Sequence, residues 1–579
     1  MISGKMFWGC FLGMLAVYVC GLPATLMEND SAQFAVMAMR MVQENDFVNL
    51  IKGTEQYLDK PHMHYWLAAL AYKLFGIHDW AYRLPALLLT LAAARACHGI
   101  GKELYNENAG RLAALIFMSA QTIVLSVIDV RTDAVLTGFT ALSIWQLLRY
   151  LELGSTRGLL WGALTAGLAF STKGQIALVV IALPLLCHVA YTRRWYRLAD
   201  LRLVWGLLVF ALAISPMLYA YYQQFDLHPE KVIRGRGNRS GILFIFWEQS
   251  FERLSGEGVG KNSSDYFFFF HTFLWVFLPW TLMGLAAFGN RAYRMARRFA
   301  GNKTAPAPPD AEAPGGAAGE NISGNPGVPE VLTLGGIAII FLIISFAQFK
   351  LPHYLNILIP LFAVLTAGYL DARRRKGHWK WLRRAARLQA GIFGIVLLAV
   401  SGIVFWVFPL PGAAAVALVL VLVGSGIALW RQMADPLVRL AVISVLASVG
   451  INAVMNAHFY PSLLQYQAGS ELARNFVREV PANPPIFKFS EEHTWALDFY
   501  SRQPVRIVRG GNRTDLAGRW VYVDEDKRRS LAESGWEWER EIVADQFRIT
   551  RLQARFVNPE TREEVVGKRY LLLLAPAAP

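Results

Sequence analysis

Charge is in short supply in this sequence: 17% of its 579 residues are Asp, Glu, Lys or Arg, where soluble domains carry roughly a quarter. That deficit excludes an ordinary soluble enzyme. Cysteine is scarcer still. The four present, Cys10, Cys20, Cys97 and Cys187, all sit in apolar stretches, so neither a disulfide framework nor a cysteine-based metal site is implied. The long hydrophilic tail carries no G-x-G-x-x-G and no P-loop, which argues against a dinucleotide or a nucleoside triphosphate. Nor is there an internal repeat of the inverted kind common in transporters.

Apolar residues, by contrast, make up 55% of the chain, gathered in about thirteen blocks near the ~20 residues that cross a bilayer core. They run over 6–26, 84–100, 112–128, 134–150, 158–172, 175–191, 203–222, 269–289, 331–346, 354–370, 388–409, 412–430 and 437–456. The expected fold class is therefore mainly α, a polytopic membrane protein. More than half the chain still lies in loops and tails, too much for a minimal channel. The first block reads as an uncleaved anchor, being long and followed by further spans.

The formal charge of +15 comes from basic residues set between apolar blocks, which points to topology and away from nucleic acid. With the N-terminus inside, about 24 basic residues fall in cytoplasmic connectors, while the short connectors opposite hold Arg131, Lys173 and Lys350. This bias places three segments outside: loop 27–83, loop 223–268 and the tail from 459. The expected domains are a membrane domain, 1–458, and an extracytoplasmic α/β domain, 459–579, in which short apolar runs such as Trp520-Val521-Tyr522-Val523 alternate with helical patterns. The Pro-, Gly- and Ala-rich stretch 300–330 reads as a flexible cytoplasmic linker.

Ionisable residues cluster on the outer side. Asp30 follows the first span, and Ala32, Ala35, Val36 and Met39 have the spacing of an amphipathic helix lying on the membrane surface. Spacing alone favours the plainer reading, in which Glu28 and Asp30 solvate a span end or cap that helix. Further on, Asp59-Lys60-Pro61-His62-Met63-His64-Tyr65-Trp66 packs an acid, a base, two imidazoles and two aromatics into one segment; an interfacial aromatic belt with a snorkelling Lys60 has the same composition. Asp129, Arg131 and Asp133, then Lys173, then Lys350, His353 and Tyr354 stand at other outer boundaries. Charges there are costly unless paired or wet, so their concentration on one face marks a polar site.

In order along the chain, the acid after the first span, the Lys60-Pro61 segment, the Arg131-Thr132-Asp133 connector, the Thr172-Lys173-Gly174 turn and Lys350-Leu351-Pro352-His353-Tyr354 resemble the membrane glycosyltransferases of the C superfold (GT-C). The likeness covers roughly residues 1–460. It is nearest to the bacterial branch of lipid A aminoarabinose transferases, related to protein O-mannosyltransferases. The resemblance implies an inner-membrane enzyme of the cell envelope that transfers a sugar from a polyprenyl-phosphate donor to a lipid, glycan or protein acceptor, inverting the anomeric centre. It makes Asp30 and Asp133 the catalytic acids and assigns Lys60, Tyr65, Arg131, Lys173, Lys350, His353 and Tyr354 to substrate binding. No cofactor is required, although some relatives hold a divalent metal, and the matching positions, Asp59 and His271, would offer two ligands to Zn²⁺ or Mg²⁺. Asp59 and His62 depart from the usual Glu-Lys-Pro-Pro, which leaves the acceptor open. A transporter or flippase of a lipid-linked sugar is the rival reading, and a scaffold with a recruiting tail is a third.

Overall fold

The computed structural model describes residues 1–233, 235, 237–249, 265–299, 330–508 and 516–575. Apart from Glu330, the expected linker 300–330 lies outside these, as does the centre of the 223–268 loop. Each expected apolar block falls on helix: α1 (Gly4–Gly21) opens the chain, then come α2 (Asp30–Gln43) and α3 (Met63–Phe75) in the first outer loop, and α4 (Asp79–Leu104), α5 (Glu107–Ser119), α6 (Gln121–Ile128), α7 (Thr132–Leu153), α8 (Thr156–Lys173), α9 (Gln175–Thr192) and α10 (Leu203–Tyr221) follow. After the second loop stand α11 (Phe268–Val276), α12 (Thr281–Phe299), α13 (Leu332–Phe346), α14 (Ile359–Arg375), α15 (Trp379–Gly402), α16 (Gly412–Gln432) and α17 (Pro436–Val454).

Among the described residues, eight helices are long and apolar enough to cross a membrane, nine when the α5–α6 pair is taken as one bent span. The expected thirteen crossings are thus met by hydropathy and length only in part. Helix α13 has 15 residues, the 269–289 block is divided between α11 and α12, and α7 and α8 lie outside the eight. Helix α7 is enclosed by α4, α8 and α9, and a helix that meets protein instead of lipid can carry polar groups.

The 53° bend between α5 and α6 redirects the chain ahead of the connector that carries Asp129 and Arg131. Backbone groups freed by such a break must be satisfied by neighbours. Here the Ser448 hydroxyl donates to the Ser119 carbonyl at 2.9 Å and the Gln121 amide donates to the Leu278 carbonyl at 3.0 Å. The side-chain amides of Gln121 and Asn452 then exchange hydrogen bonds of 3.0 and 3.1 Å.

The helix of the last span continues to Tyr466, so the tail proper begins some eight residues later than expected. It folds as α18 (Ala468–Glu479) and α19 (Trp495–Ser501) with a five-stranded mixed sheet built from β1 (Ile486–Lys488), β2 (Arg506–Ile507), β3 (Trp520–Asp524), β4 (Trp538–Gln546) and β5 (Gly567–Leu574). The strand order is β2-β1-β3-β5-β4, parallel on the β2-β1-β3 side and antiparallel beyond. Trp495 and Phe499 of α19 join Phe34, Met41 and Tyr72 of the 27–83 loop in one buried cluster. As a result α2 does not lie bare on the membrane surface. From Ser31 to Met39 every residue is buried, because α3 covers one side and the tail the other.

Candidate active site

Four segments converge on one chamber: the 27–83 loop, the α6–α7 connector, the end of α8 and the α13–α14 connector. Arg131, in the α6–α7 connector, is the hub. Its guanidinium donates to Asp30 Oδ2 at 2.7 Å and to Asp129 Oδ2 at 3.1 Å, and it reaches His353 Nδ1 at 3.5 Å. Burial works against the charge on Arg131, and Asp129 and Asp30 outweigh it, holding the guanidinium well above its ordinary range. On the far side of His353, Nε2 lies 3.6 Å from Asp133 Oδ2. The neutral tautomer with the proton on Nε2 suits both contacts.

Asp133 stands in the first turn of α7, where the helix dipole favours a carboxylate. Lys173 Nζ donates to its Oδ1 at 2.6 Å, with side-chain exposures of 10% and 4%. The ammonium also lies 4.6 Å from the centre of the Tyr354 ring, a cation–π contact. Lys173 ends α8 because Gly174 follows at φ +68°, and a Cβ there would come within 2.6 Å of Gln249 Oε1. Glycine thus lets the chain turn back at the point where the ammonium meets Asp133.

These groups line a polar chamber of about 210 Å³. Lys52, Lys60, Arg131 and Lys173 face it against Asp30, Asp59 and Asp133, an excess of one positive charge. At Asp133, Lys173, Phe349 and Tyr354 the chamber joins an apolar groove of about 260 Å³. Leu136, Ile176, Val179, Ile343 and Ile344 line that groove. The arrangement accepts an amphiphile, with an anionic head against the cations and an apolar chain along α9 and α13.

Most of the expected site residues meet here, and three stand apart. Tyr65 is fully buried, edge-on to Phe34 and Tyr57 at 5.6 and 6.3 Å, and Tyr57 takes its place in the wall. Lys350 is 2% exposed and packs 5.3 Å from the Tyr266 ring, while its neighbours Phe349 and Leu351 line the chamber. His271 pairs with Asp265 at 3.0 Å at an exposed position. Among the described residues no group of three or more His, Cys, Asp or Glu is placed to hold a metal. The two imidazoles of the 59–66 segment are also structural in their surroundings. His62 contacts the Val48 carbonyl at 2.8 Å and His64 the Tyr82 hydroxyl at 3.1 Å, and burial lowers both to about 4. Asp30 does not cap α2, whose start has no side-chain cap.

Sequence reading missed Gln33, Lys52 and Tyr57 of the chamber. Lys52 sits in a two-residue strand paired with Glu55–Gln56, and no motif marks so short a hairpin. It also missed Arg83, whose guanidinium is fully buried and donates to the carbonyls of Ile128 (2.8 Å), Leu22 (2.9 Å), Thr25 (3.1 Å) and Ala24. A lone Arg near the start of an apolar block was the only signal.

Residues 59–219 match the family described as dolichyl-phosphate-mannose-protein mannosyltransferase. The chain is 25% identical over 257 residues to the undecaprenyl phosphate-α-4-amino-4-deoxy-L-arabinose arabinosyl transferase of Pseudomonas aeruginosa (strain UCBPP-PA14), covering 44% of each. It is 27% identical over 305 residues to the corresponding transferase 1 of Sodalis glossinidius, covering 50% of this chain and 51% of that one. In these alignments the chain spans about half the length of the curated relatives it matches. The crystal structure of ArnT from Cupriavidus metallidurans bound to undecaprenyl phosphate superposes with a TM-score of 0.69 at 19% identity over 100% of both chains. The fold is therefore that of the C-superfold glycosyltransferases, with a small sheet domain at the C-terminus.

Proposed function

From that fold and that chamber, we propose that this chain is an inner-membrane glycosyltransferase that moves a sugar from a polyprenyl-phosphate carrier to an acceptor at the outer membrane face. The observation that carries the reading is the union of a cationic chamber with an apolar groove at Lys173 and Tyr354. A polyprenyl chain fills the groove, which leaves the phosphodiester beside Lys173 and Arg131. The names of the curated relatives point to the same class of donor.

In the reaction the bond from the anomeric carbon to the phosphate oxygen breaks as the acceptor oxygen attacks from the opposite face, so the configuration inverts. The departing phosphate gains negative charge, which Lys173 and Lys60 meet as point charges and Arg131 as a fork. Asp30, 42% exposed and steadied by Arg131 at 2.7 Å, accepts the proton of a hydroxyl acceptor, or orients an acceptor that is already a phosphate. Asp133 fixes Lys173 and His353. No step runs through a metal. Lipid A phosphate, a surface glycan and a protein hydroxyl all satisfy this chemistry. The transporter reading would put its polar groups near the midplane, whereas these lie on the outer connectors.

Reconstituted protein given a panel of undecaprenyl-phosphate sugars, including that of 4-amino-4-deoxy-L-arabinose, and an envelope extract should release undecaprenyl phosphate with one of them. Mass spectrometry of lipid A, glycans and proteins from cells with and without the gene then names the acceptor. Asp30→Asn should abolish release while the carrier still binds. Movement of intact donor across vesicles without cleavage would instead establish the transporter.

A further inference from the structure

The tail domain contacts the membrane domain in two chemically different ways. One is apolar: Trp495 and Phe499 pack against α2 and α3, and Phe547 and Phe556 against Ile128 and Phe408. The other is a set of hydrogen bonds concentrated on the residues between α1 and Asp30. The Tyr500 hydroxyl accepts the Leu26 amide at 2.8 Å and donates to Asp79 Oδ2 at 3.0 Å. Gln467 accepts the Glu28 amide and donates to the Leu26 carbonyl, each at 2.9 Å. The Ala496 amide donates to Glu28 Oε1 at 2.8 Å. From beneath, Arg83 holds the Leu22, Ala24 and Thr25 carbonyls of the same segment and, with its fourth bond, the Ile128 carbonyl just before Asp129 and Arg131.

The segment that delivers Asp30 is thus clamped between Arg83 below and the tail above, and the Arg83 side of the clamp also holds the connector that delivers Arg131. We propose that Tyr500 and Gln467 are positioning residues for transfer: they fix the Leu26–Glu28 backbone and so set Asp30 against Arg131 and the acceptor. This role rests on the glycosyltransferase reading and gives the tail a part in the reaction of that same site. Displacement of a reacting group by about 1 Å costs up to 10²-fold in rate, while the groove, Lys173 and Tyr354, which hold the carrier, are left untouched.

The experiment compares Tyr500→Phe, Gln467→Ala and the control Arg528→Ala in the full-length protein, Arg528 being paired with Glu541 on the exposed side of the tail. Each is assayed for kcat and KM with the undecaprenyl-phosphate sugar that the wild type turns over, and for binding of undecaprenyl phosphate alone. Tyr500→Phe keeps the ring, so the apolar cluster survives. Both positioning variants should lose at least tenfold in kcat with carrier affinity within twofold of the wild type, and the control should match the wild type. Unchanged kcat in both variants overturns the proposal, as does loss of carrier binding in parallel with kcat, since a collapsed site would cause that. A wild type that cleaves no such donor overturns the glycosyltransferase reading and the positioning role with it.

Discussion

Replacing the Asp133–Lys173 pair by apolar residues separates what it does for the fold from what it does for the reaction. The two side chains are 4% and 10% exposed and 2.6 Å apart. Removal of one partner from a buried pair leaves an uncompensated charge and costs about 3–5 kcal/mol, whereas replacing both by apolar residues of similar size is near neutral. Lys173→Met leaves Asp133 with the more distant His353 contact at 3.6 Å, so its cost belongs at the upper end of that range. Asp133→Leu leaves the ammonium over the Tyr354 ring at 4.6 Å, which returns about 2 kcal/mol when desolvated, so it belongs at the lower end. The double variant should recover most of the stability, well short of the roughly 8 kcal/mol that the two single losses would sum to, by equilibrium unfolding in mixed micelles. Turnover should not recover. The phosphate loses its ammonium in the double variant as in Lys173→Met, a defect of roughly 10²–10³ in kcat. If the double variant regains wild-type turnover together with its stability, the pair is purely structural and the placement of the leaving phosphate at Lys173 is wrong.

Lys60→Ala should lower turnover by roughly tens- to thousands-fold, and Lys350→Ala by less, since Lys350 lies against Tyr266 outside the chamber wall; equal losses would move Lys350 into the site. Glu28 is pushed up to about 7 by burial, with Glu492 adding to the shift against the Ala496 amide and Lys488. A carboxyl raised in the folded state favours it fully at pH below its free value of 4.5, and that contribution is lost as pH rises to about 7. Protection of the tail from protease should therefore fall between pH 5 and 8, and Glu28→Gln should flatten part of that slope, leaving the share of Asp498, likewise raised to about 7; an unaltered slope would refute the assignment. Reporter fusions near Pro314 should read cytoplasmic and those after Tyr460 outside, and the opposite result at either point would invert the assigned faces. Chelation should leave turnover unchanged, whereas a tenfold loss restored by Zn²⁺ or Mg²⁺ would overturn the metal-free steps.

Composition by itself determined that this chain lives in a membrane. Each apolar block became helix because an uninterrupted run of such residues can satisfy its backbone only internally. The alternation of Ile486, Trp520 and their neighbours likewise marked the tail strands, and a local pattern of that kind survives without knowledge of its partners. Order along the chain was enough to pick out Asp30, Lys60, Arg131, Asp133, Lys173, His353 and Tyr354, because charge at a bilayer edge is expensive and therefore rare. What the linear chain could not contain was which of these meet. Arg131 and Asp30 are 101 residues apart, and Arg131 and His353 222 apart. A bend at Ala120 precedes the connector that carries Arg131, and the turn at Gly174 follows the Lys173 that meets Asp133. Tertiary packing also decided against Tyr65 and Lys350 as wall residues, since a period or a motif says nothing about which side of a helix or connector faces the cavity. It turned α2 from an expected surface helix into a buried one and gave Arg83, Gln467 and Tyr500 their purpose, for each acts on backbone atoms of a distant segment, and a backbone carbonyl or amide leaves no trace in the sequence of its partner.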